Sequence, residues 1–170
     1  FVTNVKTTSL VGHNMGRVFS FTSRKELSSL EVKKALACFR NPSKWPEWNS
    51  VAKTMLATKA ESIDEGDHLA IFQIIKGGLI ETRWIVSQIR EGPDFCEIQI
   101  DGEGQYRNER PIGRGIKELS VCITFLHSED GGIEVHSSCN VSRLMSIFSK
   151  QINAFMKKQS EQIIADLAKV

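Results

Sequence analysis

Pro42-Ser43-Lys44-Trp45-Pro46-Glu47-Trp48-Asn49 separates two kinds of periodicity in this chain. Within it, Pro46 sets φ at a first-turn position, and two tryptophans three residues apart fall on one side of a helical turn. A short helix is expected there. On its N-terminal side, Ser28 and Glu31 match the S-x-x-E capping box, in which the hydroxyl receives a backbone N–H and the carboxylate reaches back to the cap. Val32, Ala35, Leu36 and Phe39 follow at helical spacing. Asn41-Pro42 stops that helix, because proline disfavours helical geometry in the residue before it. Val18 to Thr22 reads as a first strand, and residues 1–15 as an irregular lead or a weak edge strand.

On the C-terminal side the period changes to two and stays so from Val51 to about Val141. Val51 to Thr58 is one strand. His68 to Lys76 and Leu79 to Arg90 form a hairpin about Gly77-Gly78. Cys96, Ile98 and Ile100 alternate with Glu97, Gln99 and Asp101, which marks a strand with one dry and one wet face. Gly102 to Gly115, rich in Gly, Arg and Glu, reads as strand ends around a mobile loop. Leu119, Val121, Ile123 and Phe125 alternate next, Glu129 to Gly132 turns the chain, and Ile133 to Cys139 is the last strand. From about Ser142 to Lys169 neither Gly nor Pro occurs, and Leu144, Phe148, Ile152, Phe155, Met156, Ile163 and Leu167 recur at three- and four-residue spacing. A long amphipathic helix therefore closes the chain. Gln159 and Asp166 interrupt its stripe, which predicts last turns less deeply buried than the middle.

The chain has 170 residues, with 22 Lys and Arg against 20 Asp and Glu, for a formal charge of +2. That length suits one domain, with no repeat or linker to divide it. The charges are interleaved, so nucleic acid is not an expected partner. The longest apolar runs fall far short of the ~20 residues that cross a bilayer, so no stable membrane insertion is expected. Cys38, Cys96, Cys122 and Cys139 lie far apart with no C-x-x-C spacing, which gives a zinc site no support and implies no metal or other cofactor. Such scattered thiols suit small core residues in a reducing cytoplasm. With Phe at position 1, a targeting segment before it is left open, as is the oligomeric state. No G-x-S-x-G, H-E-x-x-H or phosphate-cradling glycine loop is present.

The order of strand, two short helices, six strands and long helix, with Trp45-Pro46-Glu47-Trp48-Asn49 running into the second strand, resembles the START-like (SRPBCC) superfamily. Its members include polyketide cyclases, lipid-transfer domains and birch-pollen-allergen-like proteins. In the bacterial cyclase-like branch the two tryptophans and proline are followed by Asn-Pro; Ser50 stands here where proline is common. The resemblance implies an α+β helix-grip fold: a curved seven-stranded antiparallel sheet wrapped around the C-terminal helix, with two short helices between the first two strands. It also implies binding or transport of a small hydrophobic ligand, such as a lipid, polyketide or aromatic metabolite, in an internal cavity. A polyketide cyclase or aromatase on the same scaffold, and a cochaperone-like interaction module, are the alternatives.

A lone helix does not fill a strongly bent sheet, so alternate strand residues are expected to line a cavity. These are Ile71, Gln73, Trp84, Val86, Cys96, Ile98, Val121, Ile123, Phe125 and Val135, facing Phe148, Ile152, Phe155 and Met156. All fit an ordinary core equally well. Trp45 and Trp48 are read either as guards of the mouth or as a plug locking the short helices to the sheet; Tyr106 and Arg107 stand where a mouth would be. The polar exceptions are Arg83 among apolar residues, Glu81 on its face, and Glu118, His136 and Asn140 opposite their strands' apolar stripes. Solvated outer faces and cross-strand ion pairs explain them without chemistry. If the protein is an enzyme, Arg83, Glu81, His136 and Tyr106 are the acid and base candidates.

Overall fold

The structure is a computed structural model that describes residues 17–75, 77–113 and 115–170. The lead expected over residues 1–15 lies outside the described residues. Eight antiparallel strands form one sheet: β1 (Arg17–Glu26), β2 (Thr54–Ala57), β3 (His68–Ile75), β4 (Gly78–Gly92), β5 (Phe95–Arg107), β6 (Arg110–Ile112), β7 (Ile116–Leu126) and β8 (Gly132–Val141). Seven run in the order β1-β8-β7-β5-β4-β3-β2, and β6 pairs with β5 off that path. The expected seven strands are present, and β6 is an addition. It falls in the stretch read as a mobile loop. There β5 runs on to Arg107, and Asn108 and Glu109, both at positive φ (49° and 62°), turn the chain directly into Arg110. Positive φ at both central residues suits a two-residue hairpin. The hairpin escapes a hydrophobicity reading because its three β6 residues are all exposed.

Between β1 and β2 lie α1 (Ser29–Arg40), a 3₁₀ turn (Pro42–Lys44) and α2 (Trp45–Trp48). The capping box forms as expected: the Ser28 backbone N–H donates to the Glu31 carboxylate at 2.8 Å, and the Glu31 N–H donates to the Ser28 hydroxyl at 3.4 Å. α1 buries Val32, Ala35 and Phe39 and ends at Asn41, in extended geometry before Pro42. A second 3₁₀ turn, Met145–Phe148, leads into α3 (Ser149–Leu167), which lies against β1 and β8.

The concave face holds two distinct hydrophobic clusters. In the larger, α1 and α2 pack Phe39, Trp45 and Trp48 onto Phe125, with ring centroids 4.8 Å apart for Phe39 and Trp45 and 5.8 Å for Phe39 and Phe125. Ile164 and Leu167 close this cluster from the end of α3. In the smaller, Phe19, Phe21 and Cys139 meet Ile152 and Met156. α3 therefore buries its last turns and exposes part of its start, the reverse of the expectation drawn from Gln159 and Asp166. Asp166 is only 2% exposed, while Phe148 and Phe155 are 45% and 47% exposed. The carboxylate does not interrupt the buried face because it has partners there: the Ser50 backbone N–H and hydroxyl donate to it at 3.0 and 2.7 Å, and Gln162 at 3.0 Å.

Candidate functional site

Two bulges bend the sheet at one end. β4 and β5 lose register between Arg83 and Trp84, opposite Gly102 to Gly104, and β7 and β8 lose it between Lys117 and Ser120. Glu118 inside the second bulge has φ 49°, and Gly104 inside the first has φ 145°, a conformation that L side chains rarely adopt. A Cβ at Gly102 would stand 3.2 Å from the Leu119 Cβ, so glycine lets the two strands approach there. Bulges increase local bend and twist. Between this bent end and the start of α3 lies a cavity of about 700 Å³.

Its walls come from four directions. β5 supplies Gly102 to Tyr106, β6 and the following turn supply Pro111 to Gly113, β7 supplies Ile116 to Leu119, and the helical side supplies Met145, Phe148, Ile152, Phe155 and Met156. Cys139 joins from β8, its thiol pushed up by burial. Apolar side chains dominate the helical wall, with Gln151 its polar member, while the exposed Lys117 and Glu118 stand between Ile116 and Leu119. Among the polar lining residues Thr82 is the buried one, 4% exposed, and its hydroxyl oxygen accepts from the amides of Gln73 at 3.4 Å and Gln105 at 3.3 Å. An oxygen that already accepts two hydrogen bonds has its own O–H left to donate. Thr82 and Gln105 both line the cavity, so a buried hydroxyl donor and an amide stand in a mainly apolar wall alongside the exposed Glu103, Lys117, Glu118 and Gln151. Beyond it, the hydroxyls of Ser137 and Ser160 meet at 2.8 Å, both buried, and tie β8 to α3.

Among the residues singled out from the sequence, Tyr106, Phe148, Ile152, Phe155 and Met156 come together in this wall. Gln73 stands one hydrogen bond behind it. Trp45, Trp48, Ile71, Val86, Ile98, Phe125 and Val135 lie instead in the larger packed cluster, with Cys96, Val121 and Ile123, and Trp84 packs against its edge. The reason is α1 and α2, which fill that half of the concavity. Both tryptophans sit inside that packing, and the Trp45 indole N–H donates to the Phe39 carbonyl at 2.6 Å.

Of the acid and base candidates, Glu81, Arg83 and Tyr106 meet on β4 and β5, but only Tyr106 lines the cavity, and His136 lies apart. Arg83 donates to Glu81 at 2.6 Å and lies over the Tyr106 ring, 4.1 Å from its centroid, but neither Arg83 nor Glu81 lines the cavity. The hydrogen bond to Glu81 raises the Arg83 pKa further above its ordinary value. His136 pairs across β1 and β8, its Nδ1 2.8 Å from the exposed Thr22 hydroxyl. Asn140 donates to Glu118 at 3.3 Å, and Arg107 to the Ile75 carbonyl at 3.5 Å. Sequence reasoning missed Thr82, Gln105, Ile116, Leu119, Met145 and Cys139 as wall residues. The available signal was the density of glycines at 102, 104, 113 and 115, which marked backbone irregularity without saying that it framed a cavity. Among the described residues, no group of three or more His, Cys, Asp or Glu side chains could hold a metal ion, and no helix is long and apolar enough to cross a membrane.

No family profile and no curated protein matches this sequence. Solved structures do match in shape. Norcoclaurine synthase from Thalictrum flavum, in complex with dopamine and hydroxybenzaldehyde, aligns with a TM-score of 0.68 at 11% identity, over 96% of this chain and 95% of that one. The shared fold is the helix grip, a curved antiparallel sheet around a C-terminal helix. Ginseng major latex-like protein 151 from Panax ginseng shares it with a TM-score of 0.62 at 8% identity, over 89% of this chain and 96% of that one. Ara h 8.0201 shares it with a TM-score of 0.60 at 12% identity, over the same shares. At such identities the likeness concerns the backbone and carries no residue roles.

Proposed function

We propose that this protein binds and carries a small, mainly apolar molecule that bears at least one hydrogen-bond acceptor. The observation that carries this reading is the cavity of about 700 Å³ whose apolar wall is broken by the Thr82 hydroxyl. That volume falls in the range of small-molecule sites, in which a few placed polar groups orient an apolar guest. A lipid, polyketide or aromatic metabolite with a carbonyl, ether or hydroxyl oxygen meets both demands. The START-like norcoclaurine synthase was solved with dopamine and hydroxybenzaldehyde, two small aromatic molecules, which supports this ligand class on this backbone. Glu81 and Arg83 are tied to each other and do not line the cavity, and His136 lies on the β1–β8 pair, which favours carriage over acid–base catalysis.

Native mass spectrometry followed by organic extraction tests the reading on the purified protein, with titration of an apolar fluorescent dye as a second measurement. A retained small molecule, or saturable dye binding displaced by an aromatic ketone, is expected. Thr82→Val, close in shape, should weaken the ketone by roughly fivefold and leave a hydrocarbon of the same size within about twofold, since a hydrogen bond is worth on the order of 1 kcal/mol. A clean mass together with no dye response would overturn the proposal.

A further inference from the structure

The cavity end of the molecule has a surface unlike the rest. Leu144 and Ile147, in the 3₁₀ turn region before α3, are 76% and 71% exposed, and Phe148 and Phe155 beside them are about half exposed. Ile112 on β6 is exposed across the same cavity. Phe148, Phe155 and Ile112 are also wall residues, so the apolar surface continues from the interior out over the rim. Folding leaves such a patch open only at a cost in solubility, and patches of this kind mark interaction sites.

Charge decides the partner. Arg107, Arg110, Lys117, Arg143 and Lys150 are exposed at this end, and none forms an ion pair with a described residue. Antiparallel pairing places them together: Arg107 faces Arg110 across the β5–β6 turn, and Ile116 faces Val141, which brings Lys117 near the segment carrying Arg143. The acids here are Glu103, Glu109 and Glu118; Glu103 pairs with His68 and Glu118 is engaged by Asn140. At the opposite end of the sheet, Glu26, Glu31, Glu129 and Asp130 instead surround a polar depression. That depression has Arg24, Lys25 and Lys34 beside its acids, whereas the cations at the cavity end outnumber the acids there.

We infer that the cavity rim docks onto an anionic phospholipid bilayer. Leu144, Ile147, Phe148 and Phe155 enter the headgroup boundary, and the five cations lie over the lipid phosphates and carboxylates. Docked in this way, the cavity opens towards acyl chains, and an apolar cargo moves between bilayer and protein without crossing water. The docking surface and the cargo wall share Phe148, Phe155 and Lys117, whereas Leu144, Ile147, Arg143 and Lys150 do not line the cavity, so substitutions at these four separate docking from cargo binding.

Vesicle co-sedimentation tests this, using phosphatidylcholine alone and phosphatidylcholine with about one-third phosphatidylserine. Binding to the anionic vesicles is expected, at least tenfold weaker to the neutral ones, and weaker again between about 0.1 M and about 1 M salt, where the screening length falls from about 10 to about 3 Å. Leu144→Glu with Ile147→Glu should lose the anionic vesicles, while Leu30→Glu, at an exposed apolar position on α1, should not. Should the double variant lose its folded melting transition, Arg143→Gln with Lys150→Gln decides: each cation removed near the surface should cost about fivefold. Equal binding to both vesicle types, wild-type binding by either rim variant, or a dimer that ignores vesicles would each overturn the inference. Dye binding in vesicle-free buffer, measured on the same variants, should stay at the wild-type level, so that failure to dock is told apart from failure to bind cargo.

Discussion

At Ser50 the chain departs from the proline that its tryptophan motif resembles, and Asp166 explains the departure. The Ser50 backbone N–H donates to the Asp166 carboxylate, a bond that proline, having no N–H, does not make. Burial by itself would raise the Asp166 carboxyl; the hydrogen bonds from the Ser50 hydroxyl and backbone, Gln162 and Lys169 outweigh it and hold the group below its ordinary value of 3.8. A carboxyl depressed in the folded state contributes stability that is present above its ordinary value and lost as pH falls through the lower folded one. Denaturant titrations should therefore show wild-type stability declining below about pH 4, with a shallower decline in Asp166→Asn. Asp166→Ala should cost about 2–3 kcal/mol at neutral pH, because it leaves charge-assisted donors without an acceptor. Identical acid profiles for the wild type and Asp166→Asn would show that the bond adds nothing to the grip of α3.

Two elements of similar hydrophobic composition have opposite fates. α2 presents Trp45 and Trp48 to Phe39, with centroids 4.8 and 6.0 Å away, and is sealed inside the larger cluster. The start of α3 presents Phe148 and Phe155 to the cavity and to solvent. Truncating a packed aromatic costs about 3–5 kcal/mol through lost transfer energy and the hole left behind. Trp48→Ala should show that loss in chemical denaturation while leaving dye affinity unchanged in the folded fraction. Phe155→Ala should cost less than about 1.5 kcal/mol, since half of its surface is already open, and should change dye affinity severalfold. If the two variants traded these phenotypes, the assignment of a solid end and a hollow end would be reversed.

For the molecule as a whole, the hollow end has a thermodynamic consequence. A guest that binds only the folded chain adds about 2.7 kcal/mol of stability at a hundredfold excess over its Kd. Thermal melts with increasing amounts of a displacing aromatic ketone should climb with the logarithm of its concentration. Thr82→Val should shift that dependence to higher concentration by roughly the fivefold expected in direct titration. Hydrogen exchange should slow at the cavity end, along Gly102–Tyr106 and Ile116–Leu119, more than around Phe39 and Phe125. Uniform slowing along the sheet would place the ligand elsewhere.

Much of the architecture was legible in the amino-acid order because its causes are local. Ser28 and Glu31 cap α1 through bonds three residues apart, Pro42 ends it through a clash with its neighbour, and Cys96 to Asp101 alternate because consecutive strand side chains point to opposite faces. The trytophan-containing turn and the START-like resemblance then arranged those elements into a helix grip. The site was much less legible. Val86, Ile98, Phe125 and Val135 carry the same alternation as the true wall residues Ile116 and Leu119, and periodicity says only that a face is dry. Which part of the dry face is packed and which is hollow depends on where α1, α2 and the end of α3 press against the sheet. Those contacts join residues as distant as Ser50 and Asp166, or Phe39 and Phe125. The sequence by itself determined the elements, their order and their apolar faces; the tertiary structure alone decided that one end is filled by tryptophans and the other left open around Thr82, since cavity volume is a property of long-range packing and has no local period.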